Sequence, residues 1–297
     1  MDPAILAVFG PTGVGKTAVA VALARRLRER GHEPVAVSAD ALQLYEGLGV
    51  LTGAATDAER QLLEHRLVGV LPVQETCSAA RYARMAHAEI DGILAAGGTP
   101  IVVGGTGLYL RAALADLDLA PAPPPDLRAR LRAQAADRGT PELHARLASL
   151  APRAAAGIDP RDTSRVIRAL ELHEMGALPD RPGTSQLWTA QTRHPTRLIA
   201  LVSDRAALYA AIDARVEAMV AAGAATEVRA ADAAGASATA RKAIGFQALL
   251  DDDVEAMKAQ TRRYAKRQLT WLRKLPGAES VDVTGRTPED VAAELLP

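Results

Sequence analysis

Residues Gly10 to Thr17 read G-P-T-G-V-G-K-T and directly follow the apolar run Ile5 to Phe9. That order predicts a buried strand, a glycine turn, and a helix over Ala18 to Arg30 whose first amides converge on one point. The chemistry this suits is capture of a di- or triphosphate. Gly10, Pro11, Thr12, Gly13, Val14 and Gly15 form the cradle, Lys16 reaches the terminal phosphates, and the Thr17 hydroxyl can ligate Mg²⁺. The bland alternative is a glycine-rich strand-to-helix turn that binds nothing. It does not require every fixed position of G-x-x-x-x-G-K-T to be filled.

Other residues offer complementary chemistry. Asp40, in S-A-D-A-L-Q, ends a second short strand, Pro34 to Ser38, where a carboxylate can act as a base, ligate Mg²⁺ through water, or cap the next segment. Gln43 carries the donor and acceptor that a base edge needs, or is a polar loop residue. A third strand, Pro100 to Val103, runs into Gly104-Gly-Thr-Gly107 without the aspartate with which many phosphate-loop ATPases orient Mg²⁺. Thr106 stands there instead, which argues against a motor ATPase and leaves room for a transferase whose diphosphate is a leaving group. Arg165 and Arg168 lie three apart and share a helix face able to grip phosphate, unless Asp162 and Glu171 neutralise them. From Arg241 to Lys274 there are nine Lys or Arg against four acids, with Tyr264, Gln268 and Trp271 interleaved. This stripe suits RNA, although Tyr264 and Trp271 are equally suited to a core.

The elements that must position these groups alternate strand and helix through the first third of the chain. A further helix is expected over Ser78 to Ala96, so the fold class is α/β, a parallel sheet flanked by helices in the manner of phosphate-loop NTPases, with ligands at the strands' carboxyl ends. After Leu117 comes the stiff segment Pro121 to Pro125, then helices at Asp126–Arg138, Pro141–Leu150 and Arg161–Met175, and a loose stretch from Pro179 to Gln186. Strand signal resumes at Leu198 to Val202, followed by helices at Arg205–Ala222 and Val254–Lys274, a strand near Ser280–Val283 and a helix from Pro288. The expected organisation is a catalytic core of residues 1–117 and 188–297 interrupted by an all-helical insertion, 118–187. With 297 residues, 48% of them hydrophobic, a large core can be buried. The 35 basic and 35 acidic residues balance, so any nucleic-acid surface must be local. The lone Cys77 excludes an internal disulfide and a cysteine zinc site, and it fits a reducing cytosol. No apolar stretch is long enough to span a bilayer and no signal peptide is evident, so a cytoplasmic protein is expected.

In order along nearly the whole chain, these segments resemble the tRNA dimethylallyltransferase (tRNA isopentenyltransferase) family. The resemblance is carried by the phosphate loop, S38-A-D-A-L-Q-L-Y-E-G47, V103-G-G-T-G-L-Y-L-R111, D162-T-S-R-V-I-R-A-L-E171, A243-I-G-F-Q-A-L249 and Y264-A-K-R-Q-L-T-W271. It implies transfer of a dimethylallyl group from dimethylallyl diphosphate to the exocyclic amine of the adenosine 3′ of a tRNA anticodon. Asp40 would be the base, with Lys16 and Thr106 beside the scissile bond. Diphosphate would be held by residues 10–17 and Arg215, with Mg²⁺ on Thr17. The anticodon stem-loop would meet Asp40, Ala41, Leu42, Gln43 and Thr106, then Arg128, Ser164, Arg165 and Arg168 of the insertion, and Lys242, Gln247, Lys266 and Arg267. A monomer is expected. The chain departs from the family at Ala41, at Gly49 to Ala55, at His65-Arg66-Leu67 and at Ala211, places expected to be loops around the tRNA and the active-site rim. Rival readings are an isopentenyltransferase using free AMP or ADP, a small-molecule kinase, and an RNA-binding scaffold with a decayed site.

Overall fold

The computed structural model describes residues 4–179 and 186–296. In chain order the elements are β1 (Ile5–Phe9), α1 (Lys16–Glu29), β2 (Pro34–Ser38), α2 (Gly49–Thr52), α3 (Asp57–Leu62), β3 (His65–Arg66), α4 (Ala79–Ala95), β4 (Thr99–Gly104) and α5 (Gly107–Leu114). The helices α6 (Pro125–Arg138), α7 (Thr140–Leu150), α8 (Pro152–Ala155) and α9 (Thr163–Glu174) follow. The chain continues through β5 (Thr196–Val202), α10 (Arg205–Ala221), α11 (Ala224–Ala233), α12 (Phe246–Leu250), α13 (Val254–Leu272), β6 (Glu279–Asp282) and α14 (Pro288–Leu295). All strands run parallel in one sheet of order β3-β2-β4-β1-β5-β6. The sheet interior explains the continuous apolar strands: every residue of β1 is buried, because both neighbours are strands and both faces are covered.

Register decides where the chemistry falls. Phe9 is level with Gly104 of β4 and with Ala200 of β5, while Ser38 of β2 is level with Val103. The glycine turn after β1, Asp40 after β2 and the glycines after β4 therefore leave the sheet at the same edge, the carboxyl end at which parallel sheets bind ligands.

The chain divides into two compact units. One is built from the segments that end at Leu117 and begin at Leu187, and it contains the whole sheet. The other, Asp118–Gln186, contains only helices among its described residues. Its own core joins Leu127 and Leu131 of α6, Leu143 and Leu147 of α7, and Val166 and Leu170 of α9. The Asp118 N–H donates to Gln186 Oε1 at 3.0 Å, so this unit starts and finishes at one place. Most of the loose stretch expected at 179–186 lies outside the described residues.

The sequence did not signal β3, a two-residue strand, nor α2, α3, α5, α8, α11 and α12. These elements are too short or too rich in alanine to impose an apolar period of their own. Two of the departures expected in loops are helical: Gly49 to Thr52 is α2, and Ala211 lies inside α10.

Candidate active site

The turn after β1 reaches α1 through Gly15, whose φ of 90° is the left-handed conformation that a Cβ would strain. No side chain caps α1 and no acid lies in its first turn, so the positive end of the helix is left for an anion. The first amides of α1, on Lys16 and Thr17, have no partner among the described residues. Lys16 folds back over the turn and its ammonium donates to the carbonyls of Gly10 and Pro11, at 3.0 and 2.9 Å. Burial of the ammonium, and then the nearby charge of Arg215, pushes its pKa down to about 8, with Asp40 opposing.

Lys16 and Thr17 open onto a cavity of about 800 Å³ that is also lined by Asp40, Leu42, Gln43, Arg215, Tyr264 and Gln268. Asp40 accepts from the Leu42 amide at 2.9 Å through Oδ1, a local turn that fixes the carboxylate at the end of β2. Gln43 accepts from the Ser38 hydroxyl at 2.9 Å, and its amide group faces the Gly53 carbonyl at 3.3 Å. Arg215, on α10, donates through Nη2 to the same carbonyl at 3.0 Å, while its buried Nε has no hydrogen-bond partner among the described residues. Burial lowers its pKa as well, against the opposing pull of Glu59 and Asp40. A desolvated ammonium and a desolvated guanidinium beside uncapped amides form an anion site, because only a negative ligand relieves all of them at once.

α2 lies along this cavity because Glu227 of α11 accepts from the amides of Val50 and Leu51 at 3.0 and 2.9 Å. That carboxylate supplies the cap missing from the helix itself.

The expected residues do not all meet there. Pro11 and Val14 are buried in the turn and, with Gly10, shape it without lining the cavity. The Thr12 amide is not aimed at the cavity's anion site; it donates to Gln268 Oε1 at 2.8 Å. Thr106 stands behind the wall, its hydroxyl 3.1 Å from the hydroxyl of Tyr264, which does line the cavity. Ala41 is half-buried just outside the lining. Cys77 is buried and its pKa raised, chiefly by that burial, which is the opposite of what a nucleophile needs.

The basic clusters divide into paired and exposed groups. Glu171 is fully buried and is gripped by Arg128 through Nε and Nη2, at 2.6 and 2.8 Å, and by Arg168 at 3.3 Å. Arg168 also donates to the carbonyls of Ala120 and Pro121. Arg165 pairs with Asp162 at 3.2 Å, so neither arginine of that face lacks a carboxylate, and both follow the neutralised reading. Arg165 and Ser164 remain exposed, whereas Arg128 and Arg168 are committed to a clasp inside their own unit. On α13, Arg262 is locked to Asp213 at 2.6 Å and Lys258 to Glu217 and Glu255. Lys266 and Arg267 are exposed and make no ion pair among the described residues; Arg267 lies 5.5 Å over the Tyr264 ring. Arg267 also borders a groove of about 380 Å³ with Lys242, Gln247 and Arg263, a groove that no carboxylate lines.

Gln268, read from the sequence as part of the RNA-facing stripe, is 3% exposed and points inward. Trp271 is half-buried and packs on the exposed Trp188, centroids 4.6 Å apart, so it is not the core anchor that its type also allowed. Thr261, Ala265 and Gln268 are all buried, four and three residues apart, which is the inward stripe of a helix. That spacing was the available signal, masked by the polar types occupying it.

Comparison with known proteins identifies the family. The family model described as "IPP transferase" matches residues 43–275. A tRNA dimethylallyltransferase of Kineococcus radiotolerans is 42% identical over 98% of this chain and 95% of its own length. Another, of Thermobifida fusca, is 42% identical over 92% of this chain and 88% of its own. Among solved structures, the full-length tRNA isopentenylpyrophosphate transferase of Bacillus halodurans superposes with a TM-score of 0.68 at 32% identity, covering 98% of this chain and 94% of that one. With the family model covering most of its length, and these relatives nearly all of it, the chain belongs to the IPP transferase family.

Proposed function

We propose that the chain transfers a dimethylallyl group from dimethylallyl diphosphate to the exocyclic amine of the adenosine 3′ of a tRNA anticodon, releasing diphosphate. The observation that carries this reading is the single cavity in which an uncapped helix end, Lys16 and Arg215 face a carboxylate, Asp40, at the end of the neighbouring β2. In the reaction the amine nitrogen forms a bond to the allylic carbon as the carbon–oxygen bond to diphosphate breaks. The electron pair leaves with the diphosphate, where Lys16, Arg215 and the amides of the turn stabilise it. Asp40 takes the proton lost by the amine. Thr106 would act on the reacting centre through Tyr264, whose hydroxyl it meets behind the cavity wall.

Thr17 would offer its hydroxyl to Mg²⁺, and no group of three or more His, Cys, Asp or Glu able to hold a metal occurs among the described residues. A single hydroxyl would hold such an ion only together with a bound diphosphate. Bound there, Mg²⁺ would neutralise charge on the leaving group.

A stacked base cannot enter such a cavity, so the adenosine must be flipped out, with Ala41, Leu42 and Gln43 at the rim beside it. Lys242, Gln247, Lys266 and Arg267 on the core, and Ser164 and Arg165 on the helical insertion, are proposed to hold RNA phosphates; Arg128 and Arg168 would support Arg165's helix. The enzyme is proposed to act as a cytoplasmic monomer; among the described residues no helix is long and apolar enough to cross a membrane.

The test is incubation with labelled dimethylallyl diphosphate and either unmodified tRNA or AMP, with ATP as a third arm. Label in tRNA with release of diphosphate is expected. Transfer to AMP alone, or phosphoryl transfer from ATP to a small acceptor, would replace this function with one of the rival readings.

A further inference from the structure

Gln268 has its side chain between the two glycine turns that form the floor of the site. Its Oε1 accepts from the Thr12 amide at 2.8 Å, and its Nε2 donates to the Gly105 carbonyl at 2.8 Å. The fit is close: a Cβ on Gly105 would lie 2.1 Å from that Nε2, so only glycine admits the side chain there. One helical turn earlier, Tyr264 holds the Thr106 hydroxyl. The same helix, α13, thus spans from the turn that cradles phosphate to the turn that carries Thr106.

We propose that Gln268 is a positioning residue for the transfer reaction, holding the phosphate turn and the Gly105–Thr106 turn at a fixed separation through its paired acceptor and donor. The proposal deepens the function given above and rests on it for the identity of the reaction. Gln268 touches no reacting atom. It acts by turning the Thr12 amide away from the ligand and leaving the Lys16 and Thr17 amides to converge on it. A glutamine is required because the two partners differ: one is a donor and the other an acceptor, and an ionised carboxylate satisfies only the first.

That asymmetry supplies the test. Gln268→Ala removes both bonds and leaves the Thr12 N–H and the buried Gly105 carbonyl unpaired. Gln268→Glu keeps the Thr12 bond but sets a carboxylate oxygen against the Gly105 carbonyl. Protonated, the glutamic acid is isosteric with glutamine and donates to that carbonyl again, and burial raises the pKa at which it does so. Two quantities are measured across pH and expressed relative to wild type at the same pH, which cancels other titrations: affinity for inorganic diphosphate with Mg²⁺, and single-turnover transfer at saturating substrates. Circular dichroism selects a temperature at which every protein is fully folded, so a purely scaffolding role would leave both ratios near one.

The expected result is a loss of about 10²-fold in transfer for Gln268→Ala at every pH, as for a misplacement of reacting groups by about 1 Å. Gln268→Glu should be similarly impaired at alkaline pH and return towards wild type on acidification, and diphosphate affinity should fall and recover together with transfer. Folded Gln268→Ala within twofold of wild type, or a Gln268→Glu ratio that does not change with pH, overturns the proposal. If Gln268→Ala does not fold, the pH dependence of Gln268→Glu alone decides. A wild type that binds diphosphate but transfers nothing to tRNA would refute the proposed reaction instead, and the diphosphate ratios would still judge the role of Gln268 in placing the turn.

Discussion

Replacing Lys16 by methionine should separate the stability of this protein from its activity. The substitution keeps the length of the side chain and removes its charge. Lowering the ammonium from its ordinary 10.5 to about 8 means that folding opposes its charge. At 1.36 kcal/mol for each tenfold change, the opposition amounts to about 3 kcal/mol. Between those two values the unfolded chain retains a proton that the folded chain has released. Wild-type stability therefore rises with pH from about 8 towards 10.5, and the full cost of the charge is present below 8. Integrated from about pH 7 to about pH 9.5, the gain is about 2 kcal/mol. The assay is urea unfolding of wild type and Lys16→Met at a series of pH values in that range. Their difference removes every group the two proteins share. The bonds to the Gly10 and Pro11 carbonyls, which methionine cannot make and a neutral amine still donates, add only a constant offset to that difference. The variant should lose about 2 kcal/mol of relative stability as pH rises. Binding of diphosphate brings negative charge to Lys16 and raises its pKa. Wild-type affinity for dimethylallyl diphosphate should therefore fall above about pH 8 by up to tenfold per pH unit, while that of the variant stays flat. A stability difference constant across the range would show that Lys16 is not desolvated in the free protein, and the reasoning would fail.

Asp40→Asn should slow single-turnover transfer by about 10²–10⁴-fold with tRNA affinity retained; a loss of binding with intact chemistry would make Asp40 a recognition residue. Glu171→Ala leaves the partly exposed Arg128 and Arg168 without their buried partner, and thermal or urea unfolding should show a loss of about 1–3 kcal/mol. A loss below about 1 kcal/mol would mean that water replaces the clasp. Replacing Lys266 and Arg267 together by alanine should weaken tRNA binding and reduce its salt slope by about two units, with diphosphate affinity unchanged. An unchanged slope would identify α13's outer face as merely solvated.

Much of the fold was legible because local signals and long-range packing agree. The turn at Gly10 to Thr17 and the strands β1, β2, β4 and β5 are each announced by residues within a few positions, and parallel pairing then brings Asp40 and Gly105 to the same edge. What escaped depends on partners distant in sequence. Gln268 looked like one more polar residue of a basic helix because the amide that claims it is 256 positions away. Arg128 could not be recognised as part of a clasp, since nothing near it in the sequence marks Glu171, 43 residues on, as buried. The departures at Gly49 to Ala55 read as loop changes, yet α2 is held by Glu227 of α11, a helix the alanine-rich sequence did not disclose. Sequence reading disclosed the turn at Gly10 to Thr17 and not the supports behind it. The first is a contiguous motif and the second is assembled from single residues.

The hydrogen bond between Asp118 and Gln186 bears on how such an enzyme can change over evolutionary time. A segment whose ends meet at one point can be lengthened, swapped for another or lost without re-routing any strand, because the sheet finds its next residue where it left the last. The sheet and its anion site can therefore remain under one set of constraints while the inserted helices drift under another. Relatives that share this sheet are free to differ most between Leu117 and Leu187.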